Sequence, residues 1–384
     1  MVGSSDVAVV GAGIVGLATA FSLVQRGASV TVYERGLPGN AQSGGDTRIF
    51  RHGHDDPRLL RWVKRSRRGW SEWERRFGAE LISPDGVVAL GPTVTRQLPM
   101  LCEDDGIDAR AIEPAEVIDH LPLVADTPDG PAMLDVTGGA IRTRAAIEAL
   151  VASLHVAIVT DEVYALHTRP SGGAEVRAGG RVSRHDAVVV CAGAGTAGLA
   201  QGAGLELPIV REAALRLSFP VRGAPPLRLA CLQDSSGQFG EPSAYATPLP
   251  GNAAYAVGLG GTLQLLPGGE AVDPGGLTAV RERTCAYVER ALPGLVPVPV
   301  GHRHCWVTRL PWADDGFAVW EADRLLFVAG HNLYKHAPAL GEALADRALG
   351  GDLDPDLVPT ARLGDPVSFG RDDRLGSGDR MVPS

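Results

Sequence analysis

Asp6-Val7-Ala8-Val9-Val10-Gly11-Ala12-Gly13-Ile14-Val15-Gly16 joins a short apolar run to a glycine triplet. Asp6 to Val10 reads as a buried strand, and Ile14 to Arg26 has the spacing of a helix that stops at Gly27. A second strand, Ser29 to Tyr33, then ends at Glu34. A G-x-G-x-x-G motif means little alone, but between a strand and a helix it marks a dinucleotide cradle. Gly11 permits the tight turn, Gly13 a close approach of backbone to pyrophosphate, and Gly16 the packing of helix on strand. The helix N-terminus offers free N–H groups and the positive end of its dipole, so Ile14 and Val15 join the expected contacts. Glu34 stands where a carboxylate accepts hydrogen bonds from a ribose, with Arg35 beside it. The motif by itself leaves FAD and NAD equally open.

Outward from this core the bulk numbers are ordinary. The 384 residues fit about two domains, with 45% hydrophobic and 21% charged residues. A net charge of −9 speaks against a nucleic-acid surface. The start lacks a basic segment before its apolar stretch, and Val7 to Phe21 is glycine-broken and too short for a bilayer. Cys102, Cys191, Cys231, Cys285 and Cys305 show no metal spacing, so no metal, no membrane and a reducing, cytoplasmic setting are expected. Arginine dominates the basic residues, and Lys64 and Lys335 are the only lysines. Leu59 to Phe77 carries Val63, Trp70 and Trp73 at near-helical spacing and is expected to be a core helix with a basic, solvated face.

Past the second strand comes Gly45-Asp46-Thr47-Arg48-Ile49-Phe50-Arg51-His52. This run resembles the G-D-T-R-x-x-R-H signature of the monomeric sarcosine oxidase and N-methyltryptophan oxidase family. That branch of the D-amino-acid-oxidase-like flavoenzymes includes the imino-acid oxidase of nikkomycin biosynthesis. Asp186 to Gly193, His304-Cys305-Trp306 and Leu325 to Gly330 are similar to later segments of the family. The resemblance implies FAD, attached covalently through Cys305. It places Thr47, Arg48 and Gly330 beside the flavin, and Arg51 and Lys335 on a substrate carboxylate. Tyr245 would line the substrate site, and Lys335 would also touch the flavin. The implied reaction is oxidation of a C–N bond of a small amino acid or amine, N-methyl, cyclic or glycine-like. A hydride passes to flavin N5, and oxygen becomes hydrogen peroxide. The analogy extends to a role in a natural-product pathway.

Two departures from the family pattern stand out. Ala256 falls at the family's oxygen-activating lysine and Gly260 at a pocket histidine, leaving Arg48, His304 or His331 as substitute cations. The turn Gly330 to Lys335 is shorter than the family's. A dehydrogenase with another electron acceptor, a non-catalytic flavin-binding subunit and an NAD-dependent enzyme therefore stay open.

The expected fold class is α/β plus α+β: a Rossmann-like FAD-binding domain with a second, largely antiparallel sheet. The flavin domain would comprise 1–90, 140–205 and 300–360, and the substrate domain 91–139 and 206–299. Residues 364–384, rich in Gly, Asp, Arg and Ser, would form a loose tail.

Overall fold

The computed structural model describes residues 5–125, 129–265 and 273–366. The strand Asp6–Val10 lies inside a six-stranded sheet, parallel to Ser29–Tyr33 on one side and Ala187–Val190 on the other. Ala157–Val159 and Leu325–Gly330 extend the parallel run, and Phe317–Ala322 closes one edge antiparallel to Leu325–Gly330. Continuous apolar strands such as DVAVV, AVVV and LLFVAG suit a sheet covered on both faces. Alternation sends Val7, Val9, Val189 and Val328 into one core and Ala8, Val10, Val190 and Phe327 into another.

The first core is roofed by the helices Ile14–Gln25, Pro57–Phe77 and Leu333–Ala348. The expected core helix is the second of these. It buries Leu59, Val63, Trp70 and Trp73, and Trp70 Nε1 donates to the Lys335 carbonyl at 2.9 Å. Asp56 caps its N-terminus and accepts from the Arg58 amide, the Arg58 guanidinium and the Gly364 amide at 2.8–2.9 Å. Because this carboxylate is buried and fully engaged, Asp56→Asn is expected to cost about 2 kcal/mol of stability. Urea unfolding of variant and parent, compared at equal slope, checks it.

The second sheet is nine-stranded and mostly antiparallel. Its long strand Val210–Pro220 pairs with Ala254–Leu259 on one side and Gly301–Arg309 on the other. Leu215, Leu217, Phe219, Tyr255 and Val257 share a core with Tyr287 and Val288 of the helix Pro274–Ala291. The opposite face carries the polar residues of the site. The expected pieces 1–90 and 300–360 include Val87–Leu90 and Gly301–Arg309, and both strands hydrogen-bond in this second sheet. The expected fold class holds: a Rossmann-like parallel sheet beside a largely antiparallel one. Residues 367–384 of the expected tail lie outside the described residues, whereas Gly364 is tied to Asp56. No described helix is long and apolar enough to cross a membrane.

Candidate active site

The glycine motif sits at the carboxyl end of the central strand, where ligands of parallel sheets bind. Gly11 has φ +101°, and a Cβ there would stand 2.5 Å from the Cys191 carbonyl oxygen. A Cβ on Gly16 would lie 1.9 Å from the Gly11 carbonyl oxygen, so helix and turn touch backbone to backbone. At Gly13 a Cβ would meet Ser43 Oγ at 3.0 Å and narrow the cradle from the open side. Glu34 accepts from the Ala12 and Gly36 amides at 2.8 and 2.9 Å, which fixes its carboxylate at the strand end. Ser43 Oγ accepts from Ile14 N at 2.9 Å. Arg35 turns away to an exposed pair with Glu162 at 2.9 Å.

Beside this cradle, Thr47–Phe50 pairs with Gly139–Arg142 as a two-stranded ribbon. Thr47 is buried, and its Oγ1 has no hydrogen-bond partner. Arg48 donates to the carbonyls of Gly44 at 2.7 Å, Thr47 at 2.9 Å and Gln42 at 3.3 Å. Among the described residues no carboxylate pairs with Arg48, and burial lowers its pKa. A fixed cation, an orphaned buried hydroxyl and a helix N-terminus fit the phosphates and the ring of FAD.

Period-two alternation places the remaining residues on one face of the second sheet. Arg216 faces Gly258 across one pairing and Arg303 across the other, and Ala214 faces Cys305. Tyr245 pairs with Gly258, and Thr247 with Ala256. Arg216 donates to the Thr47 carbonyl at 2.8 Å, bonds Thr247 Oγ1, and lies 5.9 Å from the Tyr245 ring centre. Its guanidinium thus bonds the cross-strand partner of Ala256, the position where the resemblance expected a lysine. His304 is paired with Leu215, so its exposed side chain lies on the other face of the sheet, away from this group. His331 is held neutral by burial, which lowers its pKa.

The third group gathers around a carboxylate. Asp315 Oδ2 accepts from Arg51 Nη2 at 2.6 Å and Lys335 Nζ at 3.3 Å, and lies 3.3 Å from His54 Nδ1. Asn332 Nδ2 donates to Oδ1. Arg51 and Lys335 thus converge on an anion as expected of a carboxylate pair, but the anion is the chain's own. Burial pushes the Asp315 pKa up, yet Lys335 and Arg51 outweigh it and hold the group ionised. Burial and Lys335 keep His54 and His336 neutral. Gly330, at φ +150°, brings the last strand against Phe317 and leads within two residues to the helix that carries Lys335.

Burial and the Arg51 charge, opposed by Asp315, lower the Lys335 pKa from 10.5 to about 7. Between those values the unfolded chain holds a proton that the folded chain has released, so stability rises with pH across that window. The penalty is complete below about 7. Lys335→Met is therefore expected to gain most relative stability below that pH and to lose the gain toward 10.5. Urea unfolding at stepped pH reads this, and a pH-independent difference would contradict it.

Arg216, Arg303, His54 and Asp315 have no motif in the sequence. The one available signal was the alternation along 210–220 and 301–309, and it acquires meaning only with the register between those strands.

The family model described as FAD dependent oxidoreductase matches residues 6–347. No curated protein matches the chain. Among solved structures, the chain is similar to NikD, described as an unusual amino acid oxidase essential for nikkomycin biosynthesis. They share 21% identity over 94% of this chain and 97% of that one, with a TM-score of 0.78. L-proline dehydrogenase from P. horikoshii is 20% identical over 96% and 98%, with a TM-score of 0.78. Glycine oxidase from Geobacillus kaustophilus is 20% identical over 93% and 98%, with a TM-score of 0.73. At these identities the likeness is one of fold.

Proposed function

Because the chain belongs to the family of FAD dependent oxidoreductases, we propose that it oxidises the C–N bond of a small amine or amino acid to an imine. The finer kinship is with the sarcosine oxidase and N-methyltryptophan oxidase branch, on the Gly45–His52 signature. One observation carries the reading: Arg48, a cation without a carboxylate partner among the described residues, stands with Thr47 beside the cradle and shares its surroundings with Cys305.

When bound, FAD accepts the two electrons, together with the hydrogen, that leave the carbon next to the amine. Arg48 supplies a fixed positive charge where negative charge develops, preorganised by three carbonyls that hold the guanidinium in one orientation. Thr47 Oγ1 is left to bond the cofactor ring. Cys305, half-buried on the same sheet face as Arg216 and Tyr245, would be the attachment point. Tyr245 and Arg216, neighbours on one sheet face, would line the substrate side. Water then hydrolyses the imine to a carbonyl compound and an amine. Oxygen takes the electrons and leaves as hydrogen peroxide, with Arg216 standing beside Ala256 as the cation on that side.

Ala256 favours a second reading, in which the electrons go to an acceptor other than oxygen. Anaerobic titration with amines, followed by air, separates the two. Bleaching of the flavin that air reverses with peroxide supports the oxidase. Bleaching that air barely reverses supports the other acceptor, and no bleaching by any amine removes the amine assignment. Colour that stays with acid-precipitated protein, and leaves it in Cys305→Ala, tests the attachment.

A further inference from the structure

The Arg51–Lys335 pair has the chemistry of a carboxylate clamp, but a carboxylate already fills it. Asp315 Oδ2 meets both cations, at 2.6 Å and 3.3 Å, and Oδ1 takes the Asn332 amide. The side chains are largely removed from water: 17% exposed for Asp315 and Arg51, 4% for Lys335 and 2% for His54. Three hydrogen bonds and the His54 contact thus engage both oxygens of that carboxylate.

The segment that bears Asp315 is held in place. Leu310 to Gly316 links the strands Gly301–Arg309 and Phe317–Ala322. The Ala313 amide donates to the Leu310 carbonyl at 3.3 Å, Trp312 Nε1 to the Leu363 carbonyl at 3.2 Å, and His331 N to the Gly316 carbonyl at 3.1 Å. A Cβ on Gly316 would stand 2.5 Å from the Leu363 carbonyl oxygen, so the backbone there is in close contact on that side. Withdrawing Asp315 would break its own bonds to Arg51, Lys335 and Asn332. It would also leave Arg51 and Lys335 without their counter-charge in a site where His54 and His336 are already held neutral. A second carboxylate entering the site would meet Asp315 across the same donors, with like charges in a partly dry place.

We propose that Asp315 is the resident anion of the Arg51–Lys335 site, and that the substrate is an amine with no carboxylate beside its nitrogen. Asp315 thereby sets specificity by occupying the place where an amino acid would anchor. The substrate is held instead by its apolar body and its nitrogen, and the carboxylate-bearing analogue is rejected by charge.

This assignment rests on the amine-oxidising reading, and its test keeps the two apart. The holoprotein is reduced anaerobically with matched pairs: pyrrolidine against proline, piperidine against pipecolate, dimethylamine against sarcosine. In the wild-type protein the plain amine of a pair is expected to bleach the flavin faster. Benzoate binding, measured by calorimetry without turnover, is expected to tighten about tenfold or more in Asp315→Asn, a difference of about 1.4 kcal/mol. Faster reduction by the carboxylate-bearing partners, or equal benzoate affinity in the two proteins, would overturn the proposal. The wild-type pairs decide it even where the variant does not fold. If no amine reduces the flavin, the oxidation reading falls, and the benzoate comparison alone still upholds or refutes the role of Asp315.

Discussion

Gly16→Ala is expected to yield a protein that is purified colourless or not recovered in soluble form. The added Cβ would fall 1.9 Å from the Gly11 carbonyl oxygen, and backbone cannot rotate aside as a side chain can. Gly11 cannot retreat either: its amide donates to the Tyr33 carbonyl at 2.8 Å, and its open side faces the Cys191 carbonyl. The helix Ile14–Gln25 must therefore move off the turn, taking its N-terminal amides from the place where phosphates bind. Overpacking of this kind costs about 1–3 kcal/mol in a core that can adjust, and more against rigid backbone. Bound flavin per protein and the thermal midpoint are the readouts. Gly198→Ala is the control, because a Cβ at that exposed helical glycine meets nothing within 4 Å. A yellow, normally stable Gly16→Ala protein would show that the cradle is not built as described.

Arg48→Met is expected to leave a folded, flavin-bearing protein whose reduction by substrate is slowed about a hundred- to a thousandfold, the usual effect of removing one preorganised charge from a reacting centre. The methionine keeps length and apolar contact but not the charge. The carbonyls of Gln42 and Gly44 lose this donor, and that of Thr47 keeps only Arg216, so a modest loss of stability accompanies the change. Arg48→Lys should recover part of the rate, since it restores charge without the planar fork that spans those carbonyls. Stopped-flow reduction under nitrogen measures the step directly. An unchanged rate constant in Arg48→Met would take Arg48 out of the reaction and leave it a structural residue of the loop.

The two arrangements differ in how much of them was written locally. The strand, turn and helix from Asp6 to Gln25 follow from neighbouring residues: an apolar run, three glycines and a helical stripe. Thr47, Arg48 and Arg51 stand within one short signature, so their common neighbourhood needed no long-range fact. Lys335 was legible through its rarity and its place after the last strand. Arg216 was not, because its function as a neighbour of Thr47 and Ala256 comes from a sheet register set by distant segments. Sheet membership of Val87–Leu90 and Gly301–Arg309 was equally hidden. A short apolar strand says that it will pair, not with which partner.

By itself, then, the sequence determined the strand, turn and helix of the dinucleotide cradle, since these depend on contacts between near neighbours along the chain, and the signature segment pointed to the two-sheet class. The tertiary structure alone decided what Arg51 and Lys335 hold. Asp315 reaches them from a different strand connection, and its short distance to both makes its charge their partner. Ion pairing in a dry interior is a matter of three-dimensional distance and desolvation, and no local spacing encodes either.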